Sequence, residues 1–134
     1  LDYKKLSKKP NELLTRIKMP KSNPKRIEHY QKVGTRLAQA ISKICFSGLI
    51  EFNDNRHIKK IRLSWGAMGP YCLRSKLTEA VLEKMPLSQE TISKAVSQLS
   101  KELKPIDDIR SSGAYRSQVA ANLLQNFLEQ AKGH

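Results

Sequence analysis

The sequence contains few of the residues that usually mark an extracellular or membrane protein. It has two cysteines in 134 residues, Cys45 and Cys72, which lie far apart in apolar surroundings. This pattern predicts buried free thiols and a reducing, cytoplasmic compartment. No run approaches the roughly 20 apolar residues that cross a bilayer, and no secretory signal pattern is present, so no membrane partner is expected. The sequence starts at Leu1, which is typical of a processed product or a piece of a longer protein.

Motifs for catalysis, phosphate binding and metal binding are also missing. No GxSxG or CxxC motif accompanies the two internal histidines, His29 and His57, and the spacing of Cys and His matches no zinc pattern. No GxGxxG or P-loop motif is present, so the sequence encodes no phosphate cradle. We therefore expect no catalytic residue and no metal ligand in this chain.

Acidic residues are scarce relative to basic ones, and the net charge is +13. Residues 1–62 contain 16 Lys and Arg against 5 Asp and Glu, whereas the remainder contains 9 against 7. Such a basic half can bind nucleic acid, an acidic protein surface or an anionic ligand, or it can be a solvated surface. Nucleic acid is the disfavoured partner because the lysines are scattered and few aromatic residues accompany them. A surface that docks another protein is favoured.

The first half of the chain has the patterns of β-strands. The longest apolar segment, Ile41 to Phe52, and the segment Ile58 to Trp65 flank the polar run Asn53 to Arg56, which predicts a β-hairpin whose return strand ends at Gly66. Gly48 inside the first of these strands indicates a bulge or a close backbone approach. The other predicted elements of this half are a short strand or one helical turn over Asn11 to Met19, a strand over Arg26 to Val33, and one helical turn over Leu37 to Ala40.

The second half has the patterns of helices. Helical spacing of Leu73, Leu77, Ala80 and Val81 predicts a helix of about three turns that ends before Pro86. Ser88 is then the expected N-cap of a second helix that Pro105 ends, and Ser111 or Ser112 is the expected N-cap of a third. The apolar stripes of these two helices are Ile92, Ala95, Val96, Leu99 and Leu103, and Tyr115, Val119, Ala120, Leu123, Leu124, Phe127 and Leu128.

Strands followed by helices, each with one apolar face, predict an α+β fold. We expect two layers, with an antiparallel sheet of three to four strands packed against about three helices. Residues 1–10 are interpreted as a basic linker or leading segment, and residues 11–134 as one domain. Phe46 and Trp65 are expected in its core.

Three strings carry a resemblance to a known family. They are YQKVGTRLAQAISK (Tyr30 to Lys43), IRLSWGAMGPYCLRSKLTEAVL (Ile61 to Leu82) and PIDDIRSSGAYRSQVAANLL (Pro105 to Leu124). In this order and spacing they resemble the C-terminal domain of the FAD-binding subunit of molybdenum hydroxylases, the xanthine dehydrogenase and carbon monoxide dehydrogenase group. The resemblance extends from about Asn11 to about Leu128, and the family's fold agrees with the pattern of strands and helices.

The resemblance implies a function within a larger oxidoreductase. The complete subunit binds FAD mainly through an N-terminal part, and partner subunits hold the molybdenum cofactor and the iron–sulfur clusters. Electrons pass from those clusters to FAD, so the present domain would help to enclose FAD and pack the subunits. Since the Gly-rich loops for the pyrophosphate are absent, weak or no FAD binding is expected of this chain alone. The alternative is a basic nucleic-acid or protein-binding module without a cofactor.

The resemblance also implies the residues that approach the flavin. Val33, Gly34, Thr35 and Arg36 match the flavin-proximal loop, and the turn Asn53 to His57 matches a segment near the flavin's access route, which makes it a candidate gate. From residue chemistry alone, this Gly-Thr-Arg turn suits an anionic or carbonyl-rich ligand, although a plain connection between strands is the simpler interpretation. The pairs Asp108/Arg110 and Tyr115/Arg116 are expected to anchor the last helix and the loop before it.

Overall fold

The computed structural model describes residues 5–19, 21, 23–36 and 40–133. Strands precede helices along the chain, as the hydrophobic patterns predict. The strands are β1 (Arg26–Val33), β2 (Ile44–Phe52), β3 (Ile58–Gly66) and β4 (Leu73–Arg74). The helices are α1 (Lys76–Leu82), α2 (Gln89–Glu102) and α3 (Gly113–Lys132).

The four strands form one antiparallel sheet in the order β1-β2-β3-β4. Helix α1 packs against β3, α3 packs against β1 and β2, and α2 packs against both other helices. Alternate side chains of the central strands, such as Phe46 and Trp65, are fully buried beneath the helices. The predicted α+β architecture, an antiparallel sheet covered by a helical layer, is therefore confirmed.

The predicted hairpin is present between β2 and β3. Its turn is stabilised by the side chain of Asn53, whose Oδ1 accepts hydrogen bonds from the backbone N–H of Asn55 at 3.1 Å and of His57 at 2.9 Å. Arg56 adopts a positive φ of 60° within this turn. Strands β1 and β3 have the predicted bounds, whereas β2 begins at Ile44 and leaves Ile41 exposed.

Gly48 lies where β2 and α3 approach each other closely. A Cβ atom at this position would lie 2.8 Å from ring atoms of both Phe46 and Phe127. The register irregularity of the hairpin occurs instead between Glu51 and Phe52. Of the two roles predicted for Gly48, the close approach is confirmed and the bulge is wrong.

The strand predicted over Asn11 to Met19 is wrong, since the structure has no regular strand or helix there. The four apolar side chains of this segment are 75–86% exposed: Leu13, Leu14, Ile17 and Met19. A strand needs a neighbouring strand to satisfy its backbone hydrogen bonds, and no partner strand lies beside this segment within the described residues. The helical turn predicted over Leu37 to Ala40 falls largely outside the described residues.

The first helix is shorter than predicted, and it buries a different face. Leu73 belongs to β4, and α1 starts only at Lys76. Leu77 is exposed, whereas Thr78, Glu79 and Leu82 are buried. Polar partners explain the buried glutamate, because its carboxylate accepts from Leu63 N at 2.8 Å and from Arg74 Nη2 at 2.6 Å.

The N-caps of the longer helices are side-chain hydroxyls. Ser88 Oγ accepts from Thr91 N at 3.1 Å, which confirms the predicted cap of α2. Ser112, one of the two residues predicted for α3, accepts from Tyr115 N at 3.2 Å. Each hydroxyl satisfies one of the backbone N–H groups that a helix start leaves free.

The two cysteines are free, as predicted, but neither is fully buried. Cys45 is half-buried on β2 and Cys72 is exposed. The prediction of two buried thiols is therefore wrong for Cys72, which lies with Pro70 and Tyr71 in an exposed stretch before β4. In the part of the chain that the structure describes, no helix is long and apolar enough to span a membrane.

Candidate functional site

The predicted ligand-facing loop follows β1 at one end of the sheet. Val33 pairs with Ile44, and its carbonyl oxygen accepts a hydrogen bond from Lys43 N at 2.8 Å. This bond closes the base of the β1–β2 connection. Gly34 is half-buried at the base, and Thr35 and Arg36 are exposed beyond it.

Gly34 suits a tight turn at the start of this connection. A Cβ atom here would lie 3.1 Å from the Cβ of Ala40, closer than most such contacts. A side chain at this position would push the two sides of the connection apart. The absence of a Cβ therefore lets Gly34 and Ala40 lie close together at the base of the connection.

Two clefts flank Thr35 and Arg36, and both residues line each of them. One cleft, of about 490 Å³, is formed by the end of β1 and the turn. The other, of about 480 Å³, lies between the β1–β2 connection and the segment that precedes α3. We call this second space the loop cleft. Its lining residues are Thr35, Arg36, Ala40, Ile41, Lys43, Ile109 and Arg110.

The loop cleft is positively charged. Three of its lining residues are cations, Arg36, Lys43 and Arg110, and none is acidic. Lys43 extends over the ring of Tyr115, with Nζ 5.1 Å from the ring centre. Hydroxyl, guanidinium and ammonium donors together suit a ligand with an anionic or carbonyl-rich edge.

A buried arginine connects the two walls of the loop cleft. Arg116, in the first turn of α3, has no exposed surface. Its Nε donates to Lys43 O at 3.0 Å, its Nη1 to Ile106 O at 2.6 Å, and its Nη2 to Asp108 Oδ1 at 2.7 Å. The same guanidinium therefore holds the end of the β1–β2 connection and the segment before α3.

Asp108 is the second half of this anchor. Besides Arg116, its carboxylate accepts hydrogen bonds from Arg110 N at 2.8 Å, from Arg110 Nε at 3.1 Å and from Ser111 N at 3.2 Å. The Arg116 guanidinium lowers the pKa of Asp108 to about 2, with help from the backbone N–H groups of Arg110 and Ser111, while partial burial opposes the shift. The predicted anchoring role of Asp108 is confirmed.

Acid is expected to release this anchor. Since the folded-state pKa of Asp108, about 2, lies below its ordinary value of 3.8, the unfolded chain binds this proton more readily. The stabilisation is present above about pH 4 and is lost as the pH falls through about 2. Asp108→Asn should therefore lower stability at neutral pH and flatten this part of the acid dependence.

Urea unfolding measured at several pH values between about 7 and 2.5 tests this expectation. Asp54→Asn, a change of an exposed carboxylate in the hairpin turn, is the matched control for the loss of one surface charge. The same pH profile in Asp108→Asn and in the unmodified protein would contradict the assigned ion pair.

The family resemblance placed both the turn of residues 53–57 and the loop of Thr35 and Arg36 near the flavin, but the structure puts them at opposite ends of the sheet. The turn of residues 53–57 lies at the far end of β2 from Thr35 and Arg36. The nine residues of β2 span roughly 27 Å at about 3.3 Å per residue. The proposed gate and the ligand-facing loop therefore do not border a common cleft of this domain.

Sequence reasoning missed the second wall of the loop cleft. It assigned Arg110 only an anchoring role, and it gave Ile109 no role. The structure places both opposite Thr35 and Arg36, more than 70 positions earlier in the chain. No local pattern carries that information, because the packing of α3 on the sheet brings the segments together. Among the described residues, no group of His, Cys, Asp or Glu is arranged to hold a metal ion.

The fold and the loop cleft define an α+β domain that presents a basic loop at one end of an antiparallel sheet. The family model of the CO dehydrogenase flavoprotein C-terminal domain matches residues 28–131, more than half of the chain. The chain therefore belongs to this family. The resemblance seen in the three sequence strings is confirmed. No curated protein matches the chain in sequence.

Solved structures share the fold at low sequence identity. Reconstituted CO dehydrogenase from Oligotropha carboxidovorans superposes with a TM-score of 0.74 at 17% identity, over 86% of this chain and 40% of that chain. Carbon monoxide dehydrogenase from Hydrogenophaga pseudoflava gives 0.71 at 17% identity, over 80% and 37%. Quinoline 2-oxidoreductase from Pseudomonas putida 86 gives 0.68 at 15% identity, over 82% and 38%. The present chain thus spans about two fifths of each of these chains.

Proposed function

We propose that this domain is the C-terminal part of the FAD-binding subunit of a xanthine dehydrogenase-like molybdenum hydroxylase, in which it helps to enclose FAD. Membership of a flavoprotein domain family carries the proposal. In the complete oxidoreductase, electrons would pass from iron–sulfur clusters to FAD. The flavin supplies that redox chemistry, and the protein supplies its position and electrostatic surroundings.

The donors at the β1–β2 connection fit one edge of a flavin. An isoalloxazine ring offers carbonyl oxygens and ring nitrogens, which the hydroxyl of Thr35 and the guanidinium of Arg36 complement. Val33 and Gly34 form an apolar base for this loop, against which the flavin ring could pack closely. The pyrophosphate has no comparable partner, because the sequence has no Gly-rich phosphate loop. Val33, Gly34, Thr35 and Arg36 would therefore contact a flavin that another part of the subunit holds.

Contact with other polypeptide is part of the same proposal. The segment of residues 11–19 exposes four large apolar side chains that contribute nothing to the core. Four large apolar side chains exposed within nine residues are typical of an interaction site. The proposed partners are the N-terminal FAD-binding part of the same subunit and the subunits that hold iron–sulfur clusters and the molybdenum cofactor. The free cysteines suit a cytoplasmic location for this assembly.

The alternative function, a basic nucleic-acid-binding module without a cofactor, gains no support from the family match or the fold. The positive charge that suggested nucleic-acid binding also has another role in this structure, since Arg36, Lys43 and Arg110 line the loop cleft.

Flavin titration tests the proposal at two levels. The isolated chain should quench FAD fluorescence weakly or not at all, because it lacks the pyrophosphate site. In the complete subunit, Arg36→Ala should weaken FAD binding by about tenfold or more, since a charge-assisted hydrogen bond contributes roughly 1.5–3 kcal/mol. Lys101→Ala, which removes an exposed cation from α2, is the matched control and should bind FAD normally. Equal affinities of the two variants, or tight stoichiometric binding by the isolated chain, would refute the proposal.

A further inference from the structure

The loop cleft has two walls that come from distant parts of the sequence. Thr35, Arg36 and Lys43 belong to the connection between the first two strands, whereas Ile109 and Arg110 precede the last helix. Only the first wall contains residues that the family resemblance assigned to the flavin. The second wall brings another guanidinium to the same space, with 45% of the Arg110 side chain exposed.

Hydrogen bonds to Asp108 restrain the orientation of the Arg110 side chain. Both the backbone N–H and the Nε of Arg110 donate to the Asp108 carboxylate, at 2.8 and 3.1 Å. Because these two bonds tie both the backbone and the guanidinium of Arg110 to one carboxylate, they favour a conformation in which the Arg110 side chain lines the cleft. A guanidinium has further N–H donors in its planar fork, which suits recognition of a carbonyl or an anion.

Arg116 sets the spacing between the walls. Its three bonds join Lys43 O on the first wall to Ile106 O and Asp108 on the second. Lys43 N in turn donates to Val33 O. By binding Lys43 O, the Arg116 guanidinium therefore also supports the base of the loop that carries Thr35 and Arg36. Ile106 N also donates to Met68 O at 3.2 Å, which ties the second wall to the end of β3.

A purely packing role would not require an arginine at this position. Burying a guanidinium carries a large desolvation cost, and an apolar side chain of similar volume often stabilises a core as well or better. What only the arginine provides here is a rigid fork that reaches three acceptors in three segments at once. This arrangement fixes geometry more than it adds stability.

We propose that Arg110 is a second ligand-contacting cation of the flavin site, opposite Arg36, and that Arg116 is the positioning residue that holds both walls through Lys43 O and Asp108. The proposal rests on the function proposed above. The ligand group that it assigns to Arg110 is a carbonyl-rich or anionic edge of the bound flavin nucleotide.

Hydrogen exchange of the isolated chain tests the positioning role without any flavin. Arg116→Lys keeps the charge but loses the fork, and Asp108→Asn keeps the shape but loses the charge. Both should speed amide exchange at Lys43 and Ile44, and Arg110→Gln should not. Glu79→Gln, a change at a buried ion pair beside β3 and β4, is the control that lowers stability elsewhere. Exchange that is unchanged at Lys43, or that rises equally with Glu79→Gln, would overturn the positioning role.

Flavin binding by the complete subunit tests the ligand contact. Arg110→Gln and Arg116→Lys should each raise the FAD dissociation constant by about tenfold and alter the circular dichroism of the bound flavin. If both variants bind FAD normally while Arg36→Ala binds it weakly, this inference is wrong and the proposed function stands. If Arg36→Ala also binds FAD normally, the proposed function fails and this inference fails with it.

Discussion

Replacing Phe127 by alanine is expected to lower the free energy of unfolding by about 3–5 kcal/mol, the usual range for a fully buried phenylalanine. Its side chain is 1% exposed and lies beneath the sheet at the centre of the core. The ring packs edge-on against Phe46, with 5.5 Å between centroids, and also borders His29 at 6.0 Å. Urea unfolding followed by Trp65 fluorescence measures the loss.

The close approach at Gly48 supplies a coupled test of the same contact. Gly48→Ala should destabilise the unmodified protein by about 1–3 kcal/mol, because the new methyl group overpacks the core. The cost should shrink in the Phe127→Ala background, because the Phe127 ring supplies two of the three atoms nearest to the new methyl group. Strictly additive effects would contradict this packing. Asn126→Ala, which changes an exposed side chain of the same helix, is the control and should change stability by less than about 1 kcal/mol.

Replacing Glu79 by leucine is expected to cost about 3 kcal/mol or more of unfolding free energy. The Glu79 carboxylate is 4% exposed and receives the guanidinium of Arg74 at 2.6 Å and that of Arg62 at 3.5 Å. It also accepts the backbone N–H of Leu63, a residue in the central strand β3. Leucine leaves this N–H buried without an acceptor, which costs more than the loss of either partly exposed arginine. Thermal and urea unfolding would measure the change.

Two further glutamate variants separate the contribution of the hydrogen bond to Leu63 N from that of the charge on Glu79. Glu79→Gln keeps an acceptor for Leu63 N, so it should retain about half of the lost stability. Glu90→Gln changes an exposed glutamate whose partner, Lys94, lies one helical turn away on α2. Surface pairs of this kind contribute little, so no measurable change is expected. If Glu79→Leu were as stable as Glu90→Gln, the buried carboxylate would have no structural role.

The elements that the sequence predicted well are those whose signals lie within a few residues. The hairpin, the bounds of β1 and β3 and the cap at Ser88 each depend on alternation or on one hydroxyl at a helix start. The prediction over Asn11 to Met19 is wrong for the complementary reason. Its apolar residues with polar residues between them suit a strand, but a strand forms only where another strand is available to pair with it.

Helix α1 shows why apolar spacing alone can select the wrong face. The sequence pattern chose Leu77, Ala80 and Val81, whereas the structure buries Glu79 and leaves Leu77 exposed. A glutamate is buried only when partners satisfy its charge. Those partners, Leu63 N and the two arginines, come from β3 and β4, so their arrival depends on the tertiary fold.

The sequence alone determined the fold class and the family, and it carries the prediction that the loop from Val33 to Arg36 faces the ligand. These depend on residue patterns and strings that are read along the chain. Only the tertiary structure decided that Ile109 and Arg110 face that loop and that Arg116 joins the two sides. It also placed the turn of residues 53–57 at the opposite end of the sheet. The physical reason is that α3 docks on β1 and β2 through core residues such as Phe127, and this docking brings together segments that local sequence does not connect.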